Sequence, residues 1–457
     1  MVDSRVAALQ GKAAWYHCGE RPDVAAGFFM DLRTLYPILL VIFTNILGAG
    51  VIFPILPLYA EGQFNGTVFQ ITLLATAFFG AQFLAAPWLG RLSDRVGRRP
   101  VLLLSQMGTV LAFILFIFAG PLGNWLDIHL TRLPITGGMA MLYAARVLDG
   151  ITGGNITTAQ AYVSDITDQD NRAHGLGLLQ GAFGLGFVFG PAFGGILSSY
   201  GPTVPFIGAT LITSLTFLLT LFTLKESLAP EDRRDGVPRS RERMSLAALL
   251  AHPALPVILG VTFVTTLAFS ALPAIFALYA QKVLFPSSMA SDRLQLMIGL
   301  MLTMHGLITV ITQVTLLRPL VHRFGEQRAL VVGDLALLVA MLGVGAAAGP
   351  LLAVVAFAPY AFGQGVTQPS LQSLMTRFGG RGTGGQLLGL YQAARSLALI
   401  FGPLWAGFAF EQIGPRFVFY VGAGLMGLAT LLALFLVSMP VPTQVAEAVR
   451  SRPTWGP

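Results

Sequence analysis

Charge is scarce in this chain. Asp, Glu, Lys and Arg make up 11% of it, less than half the share of about 25% usual in soluble domains. That leaves too little to solvate a surface, which excludes a soluble enzyme, a disordered protein and a nucleic-acid binder. Cysteine is nearly absent too. Cys18 stands alone, so no intrachain disulfide can form and a disulfide-stapled secreted scaffold is excluded. There is no Walker loop, so ATP does not drive the protein directly. Cys/His metal spacing is missing, and Asp127 with His129 is too small a group to hold a metal. No cofactor is expected.

What fills the chain instead is apolar. Hydrophobic residues are 54% of it, before 52 glycines are added. A bilayer core takes about 20 apolar helical residues per crossing. Twelve stretches qualify, at 35–60, 67–90, 100–121, 137–164, 175–198, 204–224, 254–281, 296–317, 328–348, 350–375, 385–409 and 416–438. They are apolar on all faces and too long for barrel strands, so they are read as helices. Asp3, Glu20, Asp23 and Asp31 break up the opening stretch, so no signal peptide is expected there. Residues 1–29 are assigned no function.

Loop cations set the expected orientation. With the start placed inside, the cytoplasmic segments hold 22 Lys and Arg and the external loops hold four, Arg132, Lys282, Arg293 and Arg416. Both termini are therefore expected in the cytoplasm, in a multi-pass protein of the inner (cytoplasmic) membrane. The long polar stretch from Lys225 to Arg243 reads as a linker between halves. The expected organisation is a cytoplasmic tail 1–33, a six-helix bundle 34–224, a linker 225–253, a second six-helix bundle 254–439 and a cytoplasmic tail 440–457. The halves repeat weakly: Arg95-Val96-Gly97 matches Arg323-Phe324-Gly325, Gly190-Pro191 matches Gly402-Pro403, and Leu58-Tyr59-Ala60 matches Leu278-Tyr279-Ala280, at offsets of 228, 212 and 220.

The loop after the second span reads Gly90-Arg-Leu-Ser-Asp94-Arg95-Val-Gly97-Arg98-Arg99-Pro100. Gly97 suits a tight turn, the arginines suit an anionic leaflet, and Asp94 can pair across helix ends. The loop resembles the signature loop of the major facilitator superfamily. That resemblance implies an all-α integral membrane protein, with twelve transmembrane helices in two pseudo-symmetric six-helix bundles. It also implies a gating latch of Gly90, Asp94, Arg95, Gly97, Arg98 and Arg99, with Asp165 at the end of the fourth span placed to pair with one of the arginines.

The fifth span carries Gly181, Gly184, Gly186, Gly190-Pro191 and Gly194-Gly195. Small residues at this spacing bare a helix face for close contact. The run resembles the family's antiporter motif, with Gly186, Gly190, Pro191, Gly194 and Gly195 at its core, and implies export. The first span, around Asn45, is similar to that of the twelve-helix drug–proton antiporters, especially tetracycline efflux proteins. Those carry an aspartate where this chain has Asn45, which cannot ionise. In the fourth span, Arg146 matches the family's buried arginine associated with proton coupling, and Asp149 follows three residues on, on one helix face. Intramembrane charges mark a pathway or a partner. The alternative is a self-neutralising pair that only orients the helix.

In the second half, His305 is a further proton-coupling candidate. It lies about one turn from the histidine of tetracycline efflux proteins, and a satisfied structural histidine is an equal reading. Arg395 is expected to bind an anionic group or pair with Asp149 or another acid; the alternative is an arginine that snorkels to the cytoplasmic side. Gln364, Gln368 and Gln372 form a polar stripe. Asn45, Asn155, Gln364, Gln368 and Arg395 are the candidate substrate-binding residues. Asp334 reads as shallow and structural. The expected function is proton-coupled export of a hydrophobic or amphiphilic, drug-like molecule by a monomer whose partners are that substrate, protons and membrane lipid. The alternatives are a facilitator or importer of a polar metabolite such as a sugar, an amphiphile or lipid exporter, and a non-transporting receptor.

Overall fold

The computed structural model describes residues 32–129, 135–153, 155–168, 171–228, 231, 233, 253–377 and 384–439. Both tails and most of the linker lie outside the described residues. The first six crossings are α1 (Leu32–Ile52) with α2 (Ile55–Phe64); α3 (Val68–Val96); α4 (Arg98–Ile117) with α5 (Ala119–His129); α6 (Gly137–Thr152) with α7 (Asn155–Ile166); α8 (Arg172–Ser198); and α9 (Val204–Thr223). The second six are α10 (Ala254–Phe269) with α11 (Ala271–Tyr279); α12 (Ser291–Ile311) with α13 (Leu317–Phe324); α14 (Glu326–Ala346); α15 (Pro350–Arg377); α16 (Gly384–Gln412); and α17 (Phe417–Val437).

The helices are inside out relative to soluble ones. On α9, Ile207, Leu211, Leu215, Leu218 and Phe222 are exposed at three- and four-residue spacing, a stripe for lipid. Thr213, Thr216 and Thr220 are buried. Thr216 and Thr220 bond the carbonyls of Ile212 and Thr216 at 2.8 and 2.9 Å, and Thr220 also accepts from Gln106 of α4 at 2.8 Å.

Eleven crossings are helices long and apolar enough to span a bilayer. The fourth departs from the continuous helix expected over 137–164. It is split at Gly153 into pieces of 16 and 12 residues. A broken helix in a membrane must satisfy its freed carbonyls, and its neighbours do so. Gln82 of α3 donates to the Gly153 carbonyl at 2.9 Å, and the Ser105 hydroxyl of α4 donates to that of Thr152.

The two halves repeat in detail. Gly97 and Gly325 each join two helices with positive φ, 109° and 79°. The Tyr59 hydroxyl donates to Phe116 at the end of the third crossing at 3.4 Å, and the Tyr279 hydroxyl to Val344 at the end of the ninth at 2.7 Å. Gly190 packs on Gly50 of α1, and Gly402 packs on Ser270, which follows α10.

The core is shared at one end only. At the end away from the Gly90–Pro100 loop, a single apolar core runs from half to half, joining Tyr59, Ile71 and Phe206 to Leu272, Tyr279 and Phe357. At the loop end, here called the basic end, the cores are separate. One holds Leu35, Ile38, Leu102, Tyr162 and Leu224; the other holds Leu255, Leu330, Leu374, Leu387 and Leu436. Polar ties reinforce the shared end: Lys282 meets Glu61 at 2.8 Å, Glu411 accepts from the Phe69 amide at 2.7 Å, and Thr76 donates to Ile400 at 3.0 Å.

Candidate functional site

The basic loop is a compact charge network. Arg98 reaches Asp94 at 2.6 Å and Asp165 of α7 at 3.0 Å, and it donates to Ser93 at 3.1 Å. Arg99 donates to the Leu221 carbonyl of α9 at 2.6 Å. Arg95 is exposed. The contacts named here stay within the first half. Glu226, just past α9, falls in the polar stretch that the sequence assigns to the linker. Its carboxylate accepts the Arg98 and Arg99 amides at 2.8 and 3.1 Å, capping α4 where its backbone donors are otherwise unpaired. Gly97 is required twice over: its φ is left-handed, and a side chain there would run into the Glu226 carboxylate. Ser227 also donates to Asp165 at 3.2 Å. The start of the linker is thus stitched to the loop. Glu226→Ala removes a helix cap worth about 0.5–2 kcal/mol. It is expected to lower the melting temperature of the purified protein, with a smaller fall for Ser227→Ala.

Arg146 and Asp149 meet at 3.5 Å. The Thr109 hydroxyl of α4 donates to Asp149 at 3.0 Å. The guanidinium lies between the Phe78 and Phe116 rings, 5.5 and 5.4 Å from their centroids, where ring faces favour a cation. The pair therefore sits where the second, third and fourth crossings meet, one turn before the break at Gly153. Asp149 is 6% exposed. The Nε of Arg146 is buried without a hydrogen-bond partner.

The glycines of α8 serve two faces. A Cβ on Gly186 would stand 2.7 Å from the Phe43 carbonyl, one on Gly190 would stand 2.6 Å from Gly50 Cα, and one on Gly194 would strike Val51. All three contacts are with α1. The other face meets the second half: Gly195 lies against Leu296, and Gly299 of α12 lies against Pro191. α8 runs unbroken through Pro191.

In the second half, His305 is buried among Phe357, Tyr360 and Gln364. Its Nε2 and the Gln364 Oε1 are buried without hydrogen-bond partners. Gln368 accepts from Tyr391 through its backbone carbonyl at 3.5 Å, and Gln372 is exposed. Among the described residues no carboxylate lies within 4 Å of Arg395, so it pairs with neither Asp149 nor another acid. Asp334 lies nine residues into α14. It is fully buried and accepts from Thr367 of α15 at 3.1 Å. Asn45 is buried on α1, and the side chain of Asn155 lies outside the described residues.

A sequence profile of the Major Facilitator Superfamily matches residues 38–403 and 267–456. The class C tetracycline resistance protein of Escherichia coli is 30% identical over 367 residues, which cover 78% of this chain and 84% of that protein. Multidrug resistance protein 2 of Bacillus subtilis (strain 168) is 28% identical over 412 residues, covering 86% and 95%. Among solved structures, the human organic anion transporter MFSD10 (TETRAN) shares the fold, with a TM-score of 0.64 at 24% identity over 88% of this chain and 99% of that one.

Proposed function

The chain belongs to the Major Facilitator Superfamily, and from that premise we propose that it exports a hydrophobic or amphiphilic small molecule in exchange for protons, by alternating access. It is a membrane transporter similar to tetracycline and multidrug efflux proteins. The reading rests above all on the arrangement of the cores: one core joins the halves at the far end, and two separate cores divide them at the basic end. We read this as a molecule closed at the far end and open at the basic one. With the cation-rich end in the cytoplasm, this is the state that loads substrate from inside. Rocking the halves past one another along α8 and α12 would open the far end and close the basic one. Arg98, Asp94 and Asp165 stand ready there to form the opposite closure. Arg146 and Asp149 supply the charge pair through which a proton is exchanged.

The test is substrate-induced proton movement in proteoliposomes, followed with an interior pH dye against tetracyclines, amphiphilic dyes and sugars. A pH change with a drug and none with a sugar supports the exchange. Transport without proton movement sinks it and leaves a facilitator.

The Glu61–Lys282 tie offers a check on the gate. Glu61→Lys sets two ammonium groups together; the Lys282 side chain is 41% exposed, so solvent screens the repulsion to about 1 kcal/mol. Transport is expected to fall about fivefold. The swapped pair, Glu61→Lys with Lys282→Glu, restores the attraction and most of the transport. A swap no better than the single variant would remove the gate from this tie.

A further inference from the structure

The seventh, eighth, tenth and eleventh crossings contain two acidic residues within their described helices, Asp292 and Glu411. Each is the second residue from a helix end. Lys282 is tied to Glu61, and Arg377 to Glu326 at 2.9 Å. Arg293, Arg318 and Arg323 stand near the helix ends. That leaves Arg395, eleven residues into α16, as the cation deep in these four crossings. Among the described residues its surroundings offer no counter-charge. Tyr391 lies one turn before it, and Gly402, two turns on along the same face, packs on Ser270 after α10. Asp334 is turned to Thr367 in the contact between the ninth and tenth crossings. The one deep pair of the first half, Arg146 with Asp149, is already neutral. The guanidinium Nε of Arg395 is buried with no hydrogen-bond partner. A lone cation at membrane depth is costly and calls for a partner, and a guanidinium is shaped to hold an oxyanion with two parallel hydrogen bonds.

We propose that the molecule carried is an amphiphilic organic anion, whose carboxylate, sulfonate or ionised enol is held by Arg395. This deepens the export reading and rests on it. The polar side chains of His305 and Gln364, also on the second half and each with a buried unpartnered atom, fit a hydrogen-bonding group on the same ligand. The apolar side chains around them fit its rings.

The test is equilibrium binding to the full-length protein in zwitterionic-lipid nanodiscs, which is read whether or not protons move. The probes are anilinonaphthalene sulfonate, an uncharged sulfonamide of the same rings, and a rhodamine cation. The sulfonate is expected to bind about tenfold or more tighter than the sulfonamide, since a charge-assisted contact is stronger than a neutral one. Arg395→Gln should erase that preference, Arg395→Lys should keep most of it, and Arg395→Glu should turn it toward the rhodamine. Equal binding of the three probes by the unmodified protein overturns the proposal, as does a sulfonate preference that survives in Arg395→Gln. Phosphatidylglycerol added to the nanodiscs separates the two sources of anion. Sulfonate binding that persists supports a carried anion, and full displacement assigns Arg395 to a lipid headgroup and overturns it. Failure of proton exchange with anion binding intact counts against the export reading alone.

Discussion

Asp149→Asn is expected to abolish drug-driven proton release in proteoliposomes and to make export indifferent to an imposed pH gradient. The Asn side chain keeps the size of the carboxyl and can still accept from Thr109, but it exchanges no proton. It also leaves Arg146 between two phenyl rings with no counter-charge. Breaking a buried pair on one side costs about 3–5 kcal/mol, so low yield alone would be ambiguous. The double variant Arg146→Gln with Asp149→Asn removes both charges together. It is expected to recover the yield and melting temperature without recovering coupling. A well-folded Asp149→Asn protein with normal proton release would take the role from this pair and move attention to His305.

The second large effect is mechanical. Gly190→Leu places a branched side chain where even a Cβ would stand 2.6 Å from Gly50 Cα. The two backbones are in direct contact, and neither has a flexible side chain to move aside. Overpacking in a tight core costs about 1–3 kcal/mol or more. Here it also pushes α8 toward α12, the surface along which the proposed export has the halves slide. Transport is expected to vanish and the melting temperature to fall sharply, with an intermediate result for Gly190→Ala. Gly181→Ala is the control. Nothing lies within 4 Å of a Cβ there, so its stability should stay within about 0.5 kcal/mol of the unmodified protein. Equal tolerance at 181 and 190 would mean that α1 and α8 do not pack as described.

Much of this architecture was readable in the sequence because a bilayer is a demanding solvent. Twenty apolar residues in a row admit few structures, and the basic loop announces a helix turn by its glycine and cations. The repeat was faint as letters. It becomes definite when Gly97 and Gly325 turn with the same hand and Tyr59 and Tyr279 bond equivalent helix ends. Other features were hidden for a physical reason: they depend on which helices become neighbours. The break at Gly153 looked like two small residues in an apolar run, since its supports Gln82 and Ser105 come from other crossings. Glu226 looked like a solvated linker charge, because the helix it caps begins 128 residues earlier in the chain. The burial of Asp334 likewise depends on a partner from another crossing, Thr367 of α15.

The division between one shared core and two separate ones has a volumetric consequence. On the export reading, the cleft between the halves opens at the basic end alone and exchanges its solvent with one compartment. Closing it must expel that solvent to the same side. A polymer too large to enter the cleft, added on the basic side, lowers water activity there and favours the closed form. The same polymer on the far side has no filled cleft to draw upon. The conformational equilibrium of this transporter is therefore expected to answer to osmotic stress with a handedness across the membrane, measurable as a side-dependent change in its turnover.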